Sequence, residues 1–303
     1  MAEQQRVDVV GLGTVVIDHI VVLPEHPEAD TKQHVLSDHL QVGGPVPTAL
    51  ATLRRFGRSC AFVGSWGSDP WGQMIDADFA EIGIDARHAP QRPEARTGFA
   101  HVWVCGQTAR RTIAYQRSTD PVVPDELPVE QIARAQALHL DGWPGEAALV
   151  AARIASEHEV PVFLDAGSPK PGMEELLLYV DVLNAPFRFL NAFLGHDDVE
   201  RGSEELLRKG PRLVTVTNGD AGAWLRTREQ FLFRPAFTVE AVDTTGAGDC
   251  FTGGLIEGVL SGFSPEEALA FAMATAACKC RAIGNRKALP IREDVERLVQ
   301  TLN

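Results

Sequence analysis

The strongest chemical pattern in this chain is a glycine turn that runs directly into a carboxylate and an apolar helical pattern. Gly246, Ala247 and Gly248 stand immediately before Asp249, and apolar residues then recur every four positions at 251, 255 and 259. Such a turn can aim its backbone N–H groups at one point, where the positive end of the helix dipole adds to them. The sequence therefore predicts an anion site with a carboxylate at its edge.

Asp249 is the candidate catalytic base of that site. A carboxylate beside an anion hole can take the proton of an alcohol while the N–H groups hold the phosphoryl group that is being transferred to the alcohol oxygen. The alternative is an ordinary helix start at which Asp249 only complements the dipole. These few residues alone leave both interpretations open.

A longer run carries a family resemblance. Asp243 to Asp249 reads Asp-Thr-Thr-Gly-Ala-Gly-Asp and resembles the C-terminal signature of the ribokinase-like (pfkB) carbohydrate kinases. The run from Gly43 to Gly57 is similar in length and pattern to the N-terminal sugar-binding signature of the same family. The resemblance implies an ATP-dependent kinase acting on a hydroxyl of a sugar or sugar-like molecule, with Asp249 as base and residues 246–248 as anion hole.

The resemblance also implies a set of contacts to the sugar, at Asp18, Gly43, Gly44, Thr48 and Asp141. Many family members carry an asparagine where this chain has Thr48, so a hydroxyl remains but the bidentate amide contact is lost. From the residues alone, Asp18 could be a solvated turn residue and Asp141 could cap the following turn.

A second set is implied for the nucleotide. Residues 217–222 read Thr-Asn-Gly-Asp-Ala-Gly and resemble the family's phosphate-holding loop, in which Thr217, Gly219 and Gly222 would contact the nucleotide. Taken alone, this segment would pass for a hairpin turn. Asn184 is a further candidate for contact with the nucleotide. A Walker A motif is absent, because no Gly-Lys-Ser/Thr follows a glycine at the required spacing.

Two cation predictions follow from the resemblance. Asp243 and Thr245, with carbonyl groups near Gly284, are where many members hold a monovalent cation such as K⁺. Family members also carry acids just after the strand predicted at 181–185, which are thought to act through Mg²⁺-bound water. Here the aligned positions are Pro186, Phe187 and Phe189, so we expect Mg²⁺ to be held mainly by the nucleotide phosphates.

That missing acidic segment motivates a second hypothesis, a regulatory module of the same fold that binds sugar or nucleotide and catalyses weakly. The intact glycine turn and Asp249 favour the kinase. A dinucleotide-binding oxidoreductase ranks last, because the third glycine that would follow Gly11 and Gly13 is replaced by Val16.

Composition limits the partners. The 303 residues are 45% hydrophobic, enough for one large α/β domain, and the formal net charge is −13. A basic face for nucleic acid or an anionic membrane is therefore not expected. The N-terminus lacks a secretory pattern and the five cysteines lack framework spacing, so we expect reduced thiols in a cytoplasmic protein.

Short apolar runs alternate with helical stretches along the chain. Strands are predicted at 7–13, 61–66, 137–141, 160–165, 181–185 and 212–217, and helices at 45–57, 70–82, 271–284 and 291–302. This alternation predicts an α/β fold with a doubly wound, largely parallel sheet flanked by helices. We see no repeat or long linker, so we expect residues 1–303 to form a single domain.

The resemblance implies that a small antiparallel β lid interrupts this alternation, at about 19–42 and 97–117. Lids of this family often pair across a homodimer. Arg96, Arg110, Arg111 and Arg117 fall in or near the second lid segment and could recognise a phosphorylated or sulfonated sugar, although exposed arginines are usually just solvated. The sequence leaves the acceptor open among ketohexoses, sugar phosphates and nucleosides.

Overall fold

The structure is a computed structural model that describes residues 6–108 and 110–301. It contains two β-sheets, one central and one small. The strands in chain order are β1 Val9–Leu12, β2 Val16–Leu23, β3 Ser37–Gly43, β4 Cys60–Val63, β5 Ile84–Asp85, β6 Phe99–Cys105, β7 Arg111–Gln116, β8 Ala137–Leu140, β9 Val162–Asp165, β10 Val182–Pro186, β11 Leu213–Thr217, β12 Ala223–Arg226 and β13 Phe231–Arg234.

Helices connect most of these strands. In chain order they are α1 Pro45–Arg55, α2 Pro70–Ile82, α3 Val129–Arg134, α4 Gly145–Glu157, α5 Met173–Leu177, α6 Phe187–Leu194, α7 Val199–Arg208, α8 Ala247–Leu260, α9 Pro265–Lys279 and α10 Arg292–Gln300. Within the described ranges, no helix combines the length and the apolar character needed to cross a membrane.

The central sheet has the strand order β13-β12-β11-β10-β9-β8-β1-β4-β5 and is parallel from β11 to β5. Its parallel strands are short and buried on both faces, which explains their nearly continuous apolar sequences. After β1 the chain first builds β4 and β5 on one side and then β8 to β13 on the other. This reversal opens a crevice at the carboxyl ends of β1 and β8, where ligands of such sheets bind.

Helices cover both faces of the central sheet. On one face α4 packs through buried alanines at 147, 148, 151, 152 and 155, whose helical spacing forms a single apolar stripe. On the other face the buried side chains of α1, α8 and α9 share a second core. The prediction of a doubly wound, largely parallel sheet flanked by helices is confirmed.

The small sheet, which we call the lid, has the order β3-β2-β6-β7. Its outer pairs, β2 with β3 and β6 with β7, are antiparallel, whereas β2 and β6 run parallel at its centre. Val16, Ile20, Val102 and Val104 form a small core of its own. The strands of the lid lie within residues 16–43 and 99–116, and the lid meets the central sheet near the carboxyl end of β1.

The predicted strands and most helices agree with the structure to within a few residues at their ends. The prediction of a helix at 271–284 was wrong in both bounds, because α9 runs from Pro265 to Lys279. Its true start is a capping box, in which Ser264 and Glu267 satisfy each other's backbone N–H groups. The alanine-rich stretch marks only the later part of the helix.

Candidate active site

The two glycines of the turn at the start of α8 differ in their surroundings: Gly246 is tightly packed, whereas Gly248 has free space beside it. Gly246 is the N-cap residue with φ 77°, and a Cβ there would lie 2.9 Å from Cβ of Asn285. Only glycine fits both the left-handed conformation and the close contact. A Cβ at Gly248 would meet no heavy atom within 4 Å, so the space beside it is open.

The N–H groups of this turn are not equivalent. Ala247 donates to the carbonyl of Thr244 at 3.2 Å, which closes the turn. Within residues 6–108 and 110–301, the N–H groups of Gly246 and Gly248 have no backbone acceptor. The first N–H groups of a helix lack intrahelical partners, and the dipole adds positive potential there. The turn can therefore bind an anion mainly through its two glycines.

Asp249 stands one residue further along α8 and is half-buried. Burial raises the pKa of its carboxyl group, and the nearby carboxylate of Asp165 raises it further, whereas Arg111 from the lid counteracts both. A carboxyl group with a raised pKa is a stronger base once ionised than an ordinary aspartate. The geometry thus places a carboxyl group with a raised pKa at the edge of the glycine turn 246–248, which we call the anion turn.

Asp18 lies on β2 with 7% of its surface exposed, and burial raises its pKa to about 7. The chain bends closely around it at the start of α1. A Cβ at Gly43 would lie 2.1 Å from Oδ2 of Asp18, and a Cβ at Gly44 would lie 2.2 Å from the carbonyl oxygen of Thr14. Both glycines are therefore required by close approach of their neighbours.

Thr48 is fully buried in the first turn of α1. Its hydroxyl accepts hydrogen bonds from Nδ2 of Asn285 at 3.2 Å and from Nη1 of Arg286 at 3.4 Å. The same Asn285 amide also points to Oδ2 of Asp18 at 3.5 Å. Asn285, which sequence reasoning missed, therefore connects Thr48 to Asp18. Its only sequence signal was its place beside Gly284.

Asp141 follows the carboxyl end of β8 and is 3% exposed. Its carboxylate accepts from the N–H groups of Thr14 at 2.9 Å and Trp143 at 2.8 Å, so it joins the β1–β2 connection to the turn after β8. The neighbouring strand β9 ends in Asp165, where burial raises the pKa of the carboxyl group. Sequence reasoning missed Asp165, although an acid at the end of a parallel strand could have indicated it.

Asn184 sits beside Asp165 in the sheet and is 3% exposed. Its Nδ2 donates to the hydroxyl of Thr252 at 2.9 Å, and its Oδ1 accepts from the hydroxyl of Thr215 at 2.9 Å. Thr252 in turn donates to Oδ2 of Asp165 at 2.8 Å. The structure thus places Asn184 in a buried network behind Asp165, with both ends of its amide bonded within the protein.

Thr217, Gly219 and Gly222 belong to the connection between β11 and β12. The two strands are antiparallel, so the segment is a hairpin turn, and it lies at the same edge of the sheet as Asp165. Gly219 has φ 56° and Gly222 has φ 115°. A Cβ at Gly222 would lie 2.1 Å from the carbonyl oxygen of Arg234, so glycine is required there.

Comparison with known proteins shows which family the chain belongs to. Residues 6–292 match the pfkB family carbohydrate kinase domain. The chain belongs to the pfkB family of carbohydrate kinases. It is 30% identical over 264 residues to the ATP-dependent ribose-1-phosphate kinase of Halopiger xanaduensis, which covers 86% of this chain and 88% of that protein.

Solved structures share the fold of this kinase. The ribokinase of Arabidopsis thaliana, complexed with ribose and ATP, superposes with a TM-score of 0.85 at 23% identity and covers 98% of this chain and 99% of its own. A candidate ribokinase II from E. coli, in complex with ATP and Mg²⁺, gives a TM-score of 0.84 at 20% identity, covering 97% and 99%.

The described side chains of this kinase do not form a preformed metal-binding site. Among the residues that the structure describes, no group of three or more His, Cys, Asp or Glu side chains could hold a metal ion. The segment after β10, where many family members carry acids, begins α6 here with Phe187 and the fully buried Phe189. A preformed Mg²⁺ site does not fit these residues.

The expected monovalent-cation site has an ammonium group in it. Asp243 is 2% exposed, and its carboxylate accepts from the N–H groups of Thr245 at 2.8 Å and Gly284 at 2.9 Å. Nζ of Lys279 lies 2.7 Å from the carbonyl oxygen of Asp243 and 3.3 Å from its Oδ2. Sequence reasoning missed Lys279.

Two of the four lid-region arginines reach the crevice. Arg111 on β7 donates to the hydroxyl of Thr244 at 2.8 Å, beside the anion turn. Arg117 lies over the ring of Trp143 at 4.6 Å, and its Nε donates to the hydroxyl of Thr14 at 3.4 Å. Arg96 lies over the ring of Phe99, and Arg110 is exposed.

The two glycines of the turn should respond differently to an added methyl group. We expect Gly246→Ala to lower the free energy of unfolding by about 1–3 kcal/mol, because alanine is strained at positive φ and would contact Asn285. We expect Gly248→Ala to fold normally and to lower kcat by roughly 100-fold, because its methyl group would obstruct an anion bound at the turn. Denaturant unfolding and ATP turnover distinguish the two. A fully active Gly248→Ala would contradict the anion site.

Proposed function

We propose that this chain is an ATP-dependent kinase that phosphorylates a hydroxyl group of a sugar or sugar-like small molecule. Asp249 acts as the general base, and residues Gly246 to Gly248 form the anion hole, chiefly through the N–H groups of the two glycines. The observation that carries the proposal is the position of a carboxylate with a raised pKa beside a glycine turn that faces open space. Family membership supports the same reaction class.

The acceptor would bind on the side of Asp18, Gly43, Gly44, Thr48 and Asp141. These residues surround the switch point between β1 and β8, where the lid also begins. Asp18 and Asp141 offer carboxylate oxygens to sugar hydroxyls. Closure of the lid over the acceptor would exclude water, which competes with the sugar hydroxyl for the phosphoryl group.

The nucleotide would bind along the other half of the same edge, near the loop that holds Thr217, Gly219 and Gly222. A Cβ at Gly219 would meet no heavy atom within 4 Å, so this glycine allows a phosphate oxygen to approach the backbone closely, whereas Gly222 allows the chain to turn. Asn184 would act indirectly, by holding Thr252 and thereby Asp165. Mg²⁺ would arrive with ATP and neutralise phosphate charge. The E. coli protein of the same fold is in complex with both ATP and Mg²⁺.

The lid also supports a proposal about assembly. Two large apolar side chains of β7 are exposed, Ile113 at 46% and Tyr115 at 57%, and because they are two positions apart they share one face of the lid. Exposed apolar groups of this kind, clustered on one small sheet, are typical of protein interfaces. We propose a homodimer that pairs through the lids, to be measured by sedimentation equilibrium.

A cytoplasmic location remains our prediction from the sequence.

The acceptor carries an anionic group in our proposal, because Arg117 has no acidic partner. Among the described residues, its guanidinium lies over the rings of Tyr115 and Trp143 and donates to the hydroxyl of Thr14, without an ion pair to a carboxylate. The small cavity beside it includes Ser65 and Ser118 in its lining. The hydroxyl of Ser118 is buried and finds no hydrogen-bond partner among residues 6–108 and 110–301. A guanidinium that is not paired with a carboxylate is suited to a phosphate, carboxylate or sulfonate.

The competing hypothesis is a regulatory module that binds sugar or nucleotide and catalyses weakly. Release of ADP across a panel of neutral and anionic sugars separates the two. We expect ADP release with at least one acceptor of the panel, whereas a pure binding module would give heat of binding without ADP.

Asp249→Asn tests the base directly. We expect kcat to fall by about 100-fold or more with little change in acceptor affinity, because the amide keeps the shape of the side chain but cannot take a proton. Steady-state ADP release and calorimetric acceptor binding give the two quantities. Near-normal turnover would reject the assignment.

The same substitution should change how stability depends on pH. A carboxyl group whose pKa is raised on folding contributes stability below its unfolded pKa of about 4, and that contribution is lost as pH rises through the folded value. Asn does not titrate. We therefore expect the Tm of Asp249→Asn minus that of wild type to be larger at about pH 8 than at about pH 5. An equal difference at both pH values would contradict the raised pKa.

Arg117→Gln tests the charge of the acceptor. Loss of a charge-assisted hydrogen bond should raise KM for an anionic acceptor by about 10-fold or more while leaving kcat within a few-fold. Arg110→Gln is the matched control, because Arg110 is an exposed arginine seven positions earlier. Equal effects of both variants, or none, would argue for a neutral acceptor.

A further inference from the structure

Lys279 is an unusual residue for the interior of this protein. It lies in the last turn of α9 and is 0% exposed, although lysine is rarely buried completely unless it is paired. Its Nζ contacts two oxygen atoms of one residue, the carbonyl and Oδ2 of Asp243, at 2.7 and 3.3 Å. The ammonium group thus lies against Asp243, one of the residues that the sequence analysis assigned to a monovalent cation.

Asp243 is adapted to this charge. Its carboxylate accepts from the N–H groups of Thr245 and Gly284 and forms an ion pair with Nζ of Lys279 at 3.3 Å. The charge of the carboxylate is therefore balanced from within the chain. A second cation at the same oxygens would lie within a few ångströms of Nζ, and like charges repel strongly in such buried surroundings.

The contacts of Asp243 reach both halves of the crevice. Its Oδ1 accepts from the N–H of Thr245, the residue before Gly246, so it helps to fix the anion turn. Its Oδ2 accepts from the N–H of Gly284, beside Asn285, whose amide reaches Asp18 and Thr48. A positive charge at this point therefore stabilises the frame of the entire site.

We propose that the ammonium group of Lys279 permanently replaces the monovalent cation, so that this kinase neither binds nor needs K⁺. The oxygens of Asp243 are satisfied by a cation that is part of the chain, and the geometry of the anion turn no longer depends on a diffusible ion. The effect on turnover rests on the proposed kinase function, whereas the statement about cation binding does not.

The first test measures stability and needs no substrate. We expect the Tm of wild type to be the same in KCl and in choline chloride at equal ionic strength. Lys279→Ala should lower Tm by roughly 10 °C in choline, because it leaves the Asp243 charge buried and unpaired. K⁺ or NH₄⁺, but not choline, should restore part of that loss by filling the vacated position. Lys287→Ala, at an exposed lysine, is the matched control and should show no ion-specific shift.

The second test uses only the wild-type protein, so it holds even where Lys279→Ala does not fold. Crystals grown in rubidium chloride should show no anomalous peak beside Asp243. A rubidium peak there, or a K⁺-specific rise in the Tm of wild type, would overturn the proposal.

A third test follows turnover once an acceptor is known. Wild-type kcat should be equal in K⁺ and in choline, whereas K⁺ should raise the kcat of Lys279→Ala by roughly 10-fold or more as the turn regains its geometry. Stimulation of wild type by K⁺ would overturn the inference and leave the kinase proposal intact. Absence of turnover with every acceptor would contradict the kinase proposal. The Tm and rubidium measurements would still show whether the wild-type protein binds a monovalent cation.

Discussion

One buried carboxylate, that of Asp243, holds together the parts of the site that the chain supplies from distant positions. It bonds to the N–H of Thr245 on the anion-turn side and to the N–H of Gly284 on the other, and Lys279 balances its charge. The N–H groups of Val242 and Asp243 both donate to the carbonyl of Cys280 at the end of α9. The start of α8 and the end of α9 are thus fixed relative to each other. Because Gly246 packs directly on Asn285, a shift of either segment would displace the anion turn.

A second constraint is the concentration of negative charge in the crevice. Asp18, Asp165 and Asp249 each have a raised pKa, chiefly because of burial, and Asp165 and Asp18 both raise that of Asp249. Arg111 from the lid and Arg286 from the loop after α9 lower it. Since Arg111 moves with the lid, any displacement of the lid changes the charge that Asp249 experiences. Lid position and the protonation of the proposed base are therefore physically linked.

Properties of neighbouring residues could be predicted from the sequence, whereas contacts between residues far apart in the chain could not. The Gly246 to Asp249 run predicted its own structure, since positive φ, a helix start and a carboxylate are properties of neighbouring residues. The alternation of short apolar strands with helices likewise predicted the central sheet. Lys279 could not be found in this way. A lysine in an alanine-rich helix normally indicates a solvated face, and its partner Asp243 lies 36 positions away in the chain. Asn285 was missed for the same reason, because its role consists of contacts with Thr48 and Asp18.

The segment after β10 lacks the acids of other family members, but the neighbouring strand β9 supplies one. After β10, Phe187 and Phe189 serve the hydrophobic core, so this segment contributes packing and no charge. The adjacent strand β9 nevertheless ends in Asp165, directly beside Asn184, and a chain of hydrogen bonds through Thr252 fixes that carboxylate against the first turns of α8. An acid thus stands next to Asp249 although its sequence position differs from the expected one. Parallel strands present their carboxyl ends at one edge, so a charge lost from one strand can be supplied by its neighbour without any change of fold. For this reason the departure at 186–189 weakens the case for a preformed metal site without weakening the case for catalysis at Asp249.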